Sequence, residues 1–258
     1  MKNYFLFLQN NLKIVIEYKA SFLIQAFTML ISNTSFFLIW YFIFDRFGTF
    51  SGFNFYDYLI LFDTLLFNFC FVHIFFGGYG NIATGATNGT LDNFLLMPKG
   101  ILSKLLAYGM PSSIFGDLIN ALLIPLFVPG FTFFMFLKVL YFSLIGSFVF
   151  LGFIIITTSL SFFIGSSKEI SRALFELILG PGNYPEKIFE GTFLKLIFVT
   201  IIPVYYTFYL PFNLVRSFEW QGFIILHLSA LFFMGAGYIV FYRGLKRYES
   251  GNLMITNI

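Results

Sequence analysis

The chain has 258 residues, of which 59% are hydrophobic and only 10% charged, with a net charge of +3 and a mean hydropathy of +0.86. A soluble domain carries about 25% charged residues, and the longest polar gap here, Ser166–Gly191, is 26 residues, so a separate water-soluble domain is excluded. The single cysteine, Cys70, excludes an intrachain disulfide.

In and around residues 3–18, Lys2, Lys13, Glu17 and Lys19 surround Leu6, Phe7 and Ile14. There is no short apolar core followed by a small-residue cleavage site, so the pattern reads as a helix lying in the membrane interface rather than a signal peptide. Six apolar runs follow, at about 21–44, 58–79, 105–128, 131–164, 194–214 and 222–241. Each supplies the roughly 20 residues an α-helix needs to cross about 30 Å of hydrocarbon. Backbone polar groups cannot face lipid unpaired, so the runs must be helical. The fold expected is all-α: one membrane domain over 1–258 with six transmembrane helices and short amphipathic cytoplasmic helices.

With the N-terminus inside, the inner gaps hold Lys2, Lys13, Lys19, Lys99, Lys104, Lys168, Arg172, Lys187, Lys195, Arg243, Lys246 and Arg247, 12 of the 15 basic residues. The positive-inside rule therefore predicts both termini in the cytoplasm, in a plasma or bacterial inner membrane. The outer connections are short: Gly48–Gly52 with Asp57 as a cap for the second span, Pro129-Gly130, and Arg216–Gln221 with Glu219 beside Arg216. The fourth run, at 34 residues, exceeds one crossing. It is expected to tilt, to kink near Gly146 or Gly152, or to extend beyond the bilayer. Lys138 near its start is an interface anchor or a contact for an anionic lipid or substrate.

The gap after the second run, Gly77–Pro98, is polar and glycine-rich. Asn88-Gly89 marks a turn. Thr90 can cap a short helix that carries Asp92 in its first turn and ends at Pro98, with Leu91, Phe94 and Leu95 on one face. Such an element either passes force between a soluble partner and the spans or is a plain connecting loop. No phosphate-binding G-x-x-x-x-G-K-[ST] occurs. In the second inner gap, apolar residues 170, 174, 177 and 178 fall on one face of an amphipathic helix opposite Lys168, Arg172 and Glu176. This helix is expected to end at Gly180–Asn183, and Pro185 to start another at Glu186–Glu190.

Ionisable side chains in hydrocarbon are the default functional candidates. They are Asp63 and His73 in the second run, Asp117 in the third and His227 in the sixth. Asp117 is a proton or substrate contact, or it hydrogen-bonds Ser113, Asn120 or a neighbouring hydroxyl and holds the bundle together. The histidines read as satisfied bundle residues. Two distant histidines and one cysteine make no zinc set, and no hydrolytic motif is visible, so no catalytic or metal site is expected. Pro111, Pro125, Pro203 and Pro211 each remove a backbone donor and should interrupt their helices. Tyr205, Tyr206 and Tyr209, beside the last two, line a path or join an outer aromatic belt, which Tyr209 and Trp220 fit. Gly146 with Gly152, or Gly235 with Gly237, would allow close helix packing.

Gly89-Thr-Leu-Asp-Asn-Phe-Leu-Leu-Met-Pro98 resembles the G-x-L-D-x-x-L-x-x-P segment of bacterial ABC-transporter permeases of the type 2 exporter class. The closer likeness is to six-span permeases similar to daunorubicin-export permeases. Tyr184-Pro185, Ile202-Pro203 and Leu210-Pro211 resemble the later proline series of that family, and the likeness covers essentially the whole chain. It implies a permease without catalysis of its own, paired with a second copy or a sibling. Two separate cytoplasmic ATPase subunits would hold ATP and Mg. The coupling helix implied comprises Gly89, Thr90, Leu91, Asp92, Phe94, Leu95 and Pro98. Met97 departs from the family pattern, which commonly has arginine there; Lys99 can substitute. Few charges in the spans favour a hydrophobic or amphipathic cargo, with Asp117, Pro203, Tyr205, Tyr206, Tyr209 and Pro211 as candidates for its path. Membrane lipids are expected partners and nucleic acid is not. The alternatives are an ion-coupled secondary transporter using Asp117, and a non-transporting scaffold or immunity protein.

Overall fold

The computed structural model describes residues 2–49, 52–97, 100–164 and 168–248, and these are helical almost throughout. In chain order the helices are α1 (Lys2–Glu17), α2 (Lys19–Phe47), α3 (Phe55–Phe76), α4 (Gly80–Asn88), α5 (Asp92–Leu95), α6 (Ile101–Ala107), α7 (Ile114–Leu123) and α8 (Phe133–Ser159). Then come α9 (Ser161–Ile164), α10 (Lys168–Gly182), α11 (Phe193–Thr200), α12 (Leu210–Arg216) and α13 (Trp220–Leu245). Short 3₁₀ turns cover Gly77–Tyr79, Ile124–Phe127 and Glu186–Phe189, and a π-helical turn covers Tyr205–Tyr209.

Four stretches are long and apolar enough to cross a membrane: Lys19–Phe47, Phe55–Asn88, Phe133–Ile164 and Trp220–Leu245. Phe193–Thr200 and Tyr205–Arg216, bent by 73° at their break, make a fifth if taken as one span. The third apolar run is split. Pro111 disfavours helix at Met110, α6 stops at Ala107, and the apolar helix Ile114–Phe127 is by itself too short to span. The interruptions expected of Pro111 and Pro203 are therefore present, whereas Pro211 sits in the first turn of α12, which continues the π-helical turn without a break.

The glycine-rich gap after α3 is not a loop. The chain continues through a 3₁₀ turn into α4, because Gly78 has no Cβ to collide with the Leu105 and Tyr108 carbonyls. Gly89, at φ +74°, then ends α4 in the left-handed conformation that glycine adopts without penalty.

α3 and α8 form the centre: their apolar windows are 72% and 67% buried, against 11% for α2 and 17% for α13. The start of α3 is fixed by Asn54, not by Asp57 alone. The Asn54 side chain accepts from the Asp57 N–H at 2.9 Å, and the Asp57 carboxylate accepts from the Asn54 N–H at 3.0 Å. This is a capping box, which satisfies two orphan donors. The same carboxylate pairs with Arg216 at 3.1 Å, tying the 48–54 connection to the end of α12. α8 does not break at its glycines. Gly146 admits α12 and Gly152 admits α13, where Phe233 packs against it, while a Cβ on Gly237 would lie 2.9 Å from the Gly152 carbonyl oxygen. Gly235 faces open space and takes no part.

Candidate functional site

The segment 89–97 sits at the end of the bundle that also carries α1 and Tyr248. Leu91 is its root: fully buried, against Gly85 of α4. Phe94 meets the Tyr108 ring edge-on at 5.5 Å. Leu95, Leu96 and Met97 point outward, Leu96 with 87% of its surface exposed. Thr90 does not cap α5; Leu91 occupies the cap position in a helical conformation with no side-chain bond. Leu91 and Leu95 therefore do not share one buried face. Pro98 and Lys99 lie outside the described residues. The Tyr248 hydroxyl is pushed up to about 12, by burial and by the Asp92 carboxylate beside it, so the tail of α13 reaches this segment.

Behind it, α4, α8 and α10 enclose a cavity of about 370 Å³, with Tyr79, Thr84, Thr157 and Phe175 in its walls and Lys168 and Arg172 at its edge. α10 runs through Pro181 and ends at Gly182, within the Gly180–Asn183 turn expected to stop it. A 3₁₀ turn at Glu186–Phe189 follows, where Lys187 and Glu190 pair at 3.0 Å. The hydrogen bond from Lys187 holds the Glu190 carboxyl below its ordinary value.

The candidate path residues do not form one group. α7, which carries Asp117, packs on α2 and α3, whereas Tyr205–Tyr209 packs on α3 and α8. Asp117 is buried and accepts from Asn33 Nδ2 of α2 at 2.7 Å, instead of pairing with Ser113 or Asn120. Its second oxygen, and both oxygens of buried Asp63, have no hydrogen-bond partner among the described residues. Tyr209 is not in an outer belt. It is buried, and its hydroxyl donates to the Pro181 carbonyl at 2.6 Å, fastening the end of α10. Tyr205 lines a separate cavity of about 340 Å³ with Asn213, Ser217 and Glu219, and Tyr206 meets the Tyr205 ring edge-on at 5.4 Å. Both histidines are satisfied. His73 is paired with the Phe69 carbonyl and Tyr79 hydroxyl, and His227 with the Phe223 carbonyl and Tyr141 hydroxyl.

The prolines are answered by asparagines that a search for ionisable groups overlooks. Pro211 cannot donate to the Thr207 carbonyl four residues back. Asn68 Nδ2 of α3 donates to it at 2.8 Å, and Gly146 leaves room, since a Cβ there would lie 2.6 Å from that oxygen. At the Pro111 break the last carbonyls of α6 are orphans. Asn11 of α1 donates to the Ala107 carbonyl at 2.7 Å and Asn81 of α4 to the Tyr108 carbonyl at 2.6 Å. A legible signal existed: an Asn inside an apolar helix needs a partner across an interface.

Among the described residues no group of three or more His, Cys, Asp or Glu is placed to hold a metal ion. No curated protein and no solved structure matches the chain. The family model described as ABC-2 family transporter protein matches residues 29–251, from α2 past the end of α13. Membership implies association with an ABC ATPase. Long apolar helices around a buried α3–α8 centre, and a match over most of the sequence, make this chain a membrane permease that belongs to the ABC-2 transporter family.

Proposed function

We propose that the chain is the membrane subunit of an ATP-driven exporter of hydrophobic or amphipathic molecules, in the group similar to daunorubicin-export permeases. It works in a bacterial inner membrane with both termini cytoplasmic, as a dimer with itself or a sibling. Two cytoplasmic ATPase subunits hold ATP and Mg and hydrolyse the ATP. Their closure reaches the spans through Gly89–Pro98, and the cargo path opens alternately to either side. Tyr205 and Tyr206 offer hydroxyls to cargo beside the Pro203 break, while Tyr209 fastens α10.

The observation that carries this reading is the knob formed by Leu95, Leu96 and Met97, exposed on a segment whose root, Leu91, is fully buried. Apolar side chains grouped outside the hydrocarbon call for a protein cover, and a rigid root lets a push on the knob reach α4 and α6. Asp92→Lys and Leu95→Asp should each reduce co-purification of the ATPase and abolish cargo-stimulated ATP hydrolysis. Unchanged association and stimulation would sink the assignment.

One observation favours a second reading. Asp63 and Asp117 have carboxylate oxygens without partners among the described residues, as a proton-coupled carrier would need. Reconstituted transport at zero ion gradient, with and without ATP, separates the two: transport that needs the gradient and ignores ATP selects the carboxylates.

A further inference from the structure

Between α2, α3 and α7, toward the end of the bundle that bears the 48–54 and 128–132 connections, lies a cavity of about 430 Å³. Its walls are almost wholly apolar, with Leu30, Phe37 and Leu59 on the inner side. Leu38, Tyr41, Leu123 and Phe127 at its rim are exposed, and they belong to helices of apolar composition. The slot therefore has a sideways opening with an apolar rim, which faces hydrocarbon when these helices stand in a membrane. Two polar side chains from mid-helix positions face it. Thr34 is spent, because its hydroxyl donates to the Leu30 carbonyl at 2.8 Å. Asn120 is not: it is 4% exposed, and its amide nitrogen has no acceptor among the described residues. A buried donor in a dry apolar wall is costly unless a ligand brings an acceptor.

We infer that this slot is a binding site for one acyl chain of a bilayer phospholipid, with an ester carbonyl oxygen accepting from Asn120. The chemistry selects this occupant. The walls take a flexible hydrocarbon chain, the opening faces the bilayer that supplies it, and an ester oxygen is an acceptor that brings no charge. The site does not depend on the coupling reading, since it needs neither an ATPase nor cargo. Lipid held there would wedge α2 against α7 beside the Asn33–Asp117 bond.

The test uses the full chain in nanodiscs of phosphatidylcholine doped with a phosphatidylcholine that carries a diazirine on one acyl chain. After illumination, labelled residues are mapped by mass spectrometry. Labelling of 120–127 and of Leu38 should exceed, severalfold, that of Leu231 and Phe232, which are exposed on α13. Leu123→Trp, which fills the slot from its rim, should remove the excess. Asn120→Leu, which keeps the volume and deletes the donor, should lower it about five- to tenfold. Equal labelling of slot and α13, or an excess indifferent to both changes, would overturn the site. So would an unlabelled slot in which Leu123→Cys, in a Cys70→Ser background, forms a disulfide between two copies, since a second copy would then be the cover. Loss of label only during ATP turnover by the complex with its ATPase would assign the slot to a transported molecule and overturn the assignment to resident lipid. Failure of the labelling leaves the ATPase association measurement untouched, so the two readings fall separately.

Discussion

Asn68 shows how much a single polar side chain holds in this membrane domain. Its amide nitrogen fills the position that Pro211 leaves empty at the Thr207 carbonyl. In hydrocarbon no water is at hand to do so. Asn68→Leu should therefore destabilise the protein by about 1–2 kcal/mol, read as earlier unfolding in a detergent titration. Pro211→Ala restores a backbone N–H to the same oxygen, so the double variant should recover part of the loss. Strictly additive effects in that cycle would show that the two residues do not serve one carbonyl. Gly146→Val presses on the same point, where a Cβ would lie 2.6 Å from the Thr207 oxygen, and should cost about 1–3 kcal/mol through overpacking. Pro111 and Pro203 were legible in the sequence as breaks and the asparagines as groups in need of partners, but the pairing between asparagines and freed carbonyls was not. Which of the asparagines in the chain meets which freed carbonyl depends on helix rotation and crossing, and these are fixed only when the bundle packs.

At the scale of elements, α5 with its flanks combines a buried root and an exposed tip. Leu91→Ala removes a fully buried side chain that packs on Gly85. It should cost about 2–4 kcal/mol and speed amide exchange across 85–96 while leaving α13 protected. Leu96→Asp, at an exposed position, should leave thermal stability within about 0.5 kcal/mol of the parent and still weaken ATPase association. If Leu96→Asp unfolds the segment as Leu91→Ala does, the tip is part of the fold and not a docking knob. Turn chemistry located this segment correctly in the sequence, since Asn88-Gly89 does end a helix. The same composition misread the stretch before it. Gly77, Gly78 and Gly80 look like a loop, yet Gly78 is there to let two backbones touch, a contact with residues about 30 positions away that no local pattern encodes.

For the whole molecule, hydropathy alone outlined the apolar runs, because the energetic demand of the bilayer is written into composition. It could not separate central helices from peripheral ones. α3 and α8 are mostly buried, α2 and α13 mostly exposed, and all are comparably apolar, since lipid and protein neighbours ask for the same side chains. The orientation proposed from basic residues is open to a direct check. In a Cys70→Ser background, single cysteines at Gly48, Gly130 and Ser217 should react with an impermeant maleimide added to intact cells. Cysteines at Asn88 and Thr192 should react only after permeabilisation. The reverse pattern would invert the topology and remove the proposed access of an ATPase to α5. Where α2 and α13 are covered in a dimer, cysteines on the covered face should crosslink between copies, and those facing lipid should not.

The bond from Asn68 to the Thr207 carbonyl has a consequence for how this bundle can move. A helix whose repairs all lie within itself can slide past its neighbours and keep every polar group paired. The bent fifth segment cannot, because one of its acceptors is served from α3. Any displacement that parts the two must bring a replacement donor to that oxygen. In a bilayer interior the available replacements are a water molecule or a polar group of a passenger. Parting the two in a dry interior therefore costs about 1–2 kcal/mol, which a water or a hydrogen-bonding guest at that oxygen would offset. Motion of this segment is thereby linked energetically to whatever replaces that donor.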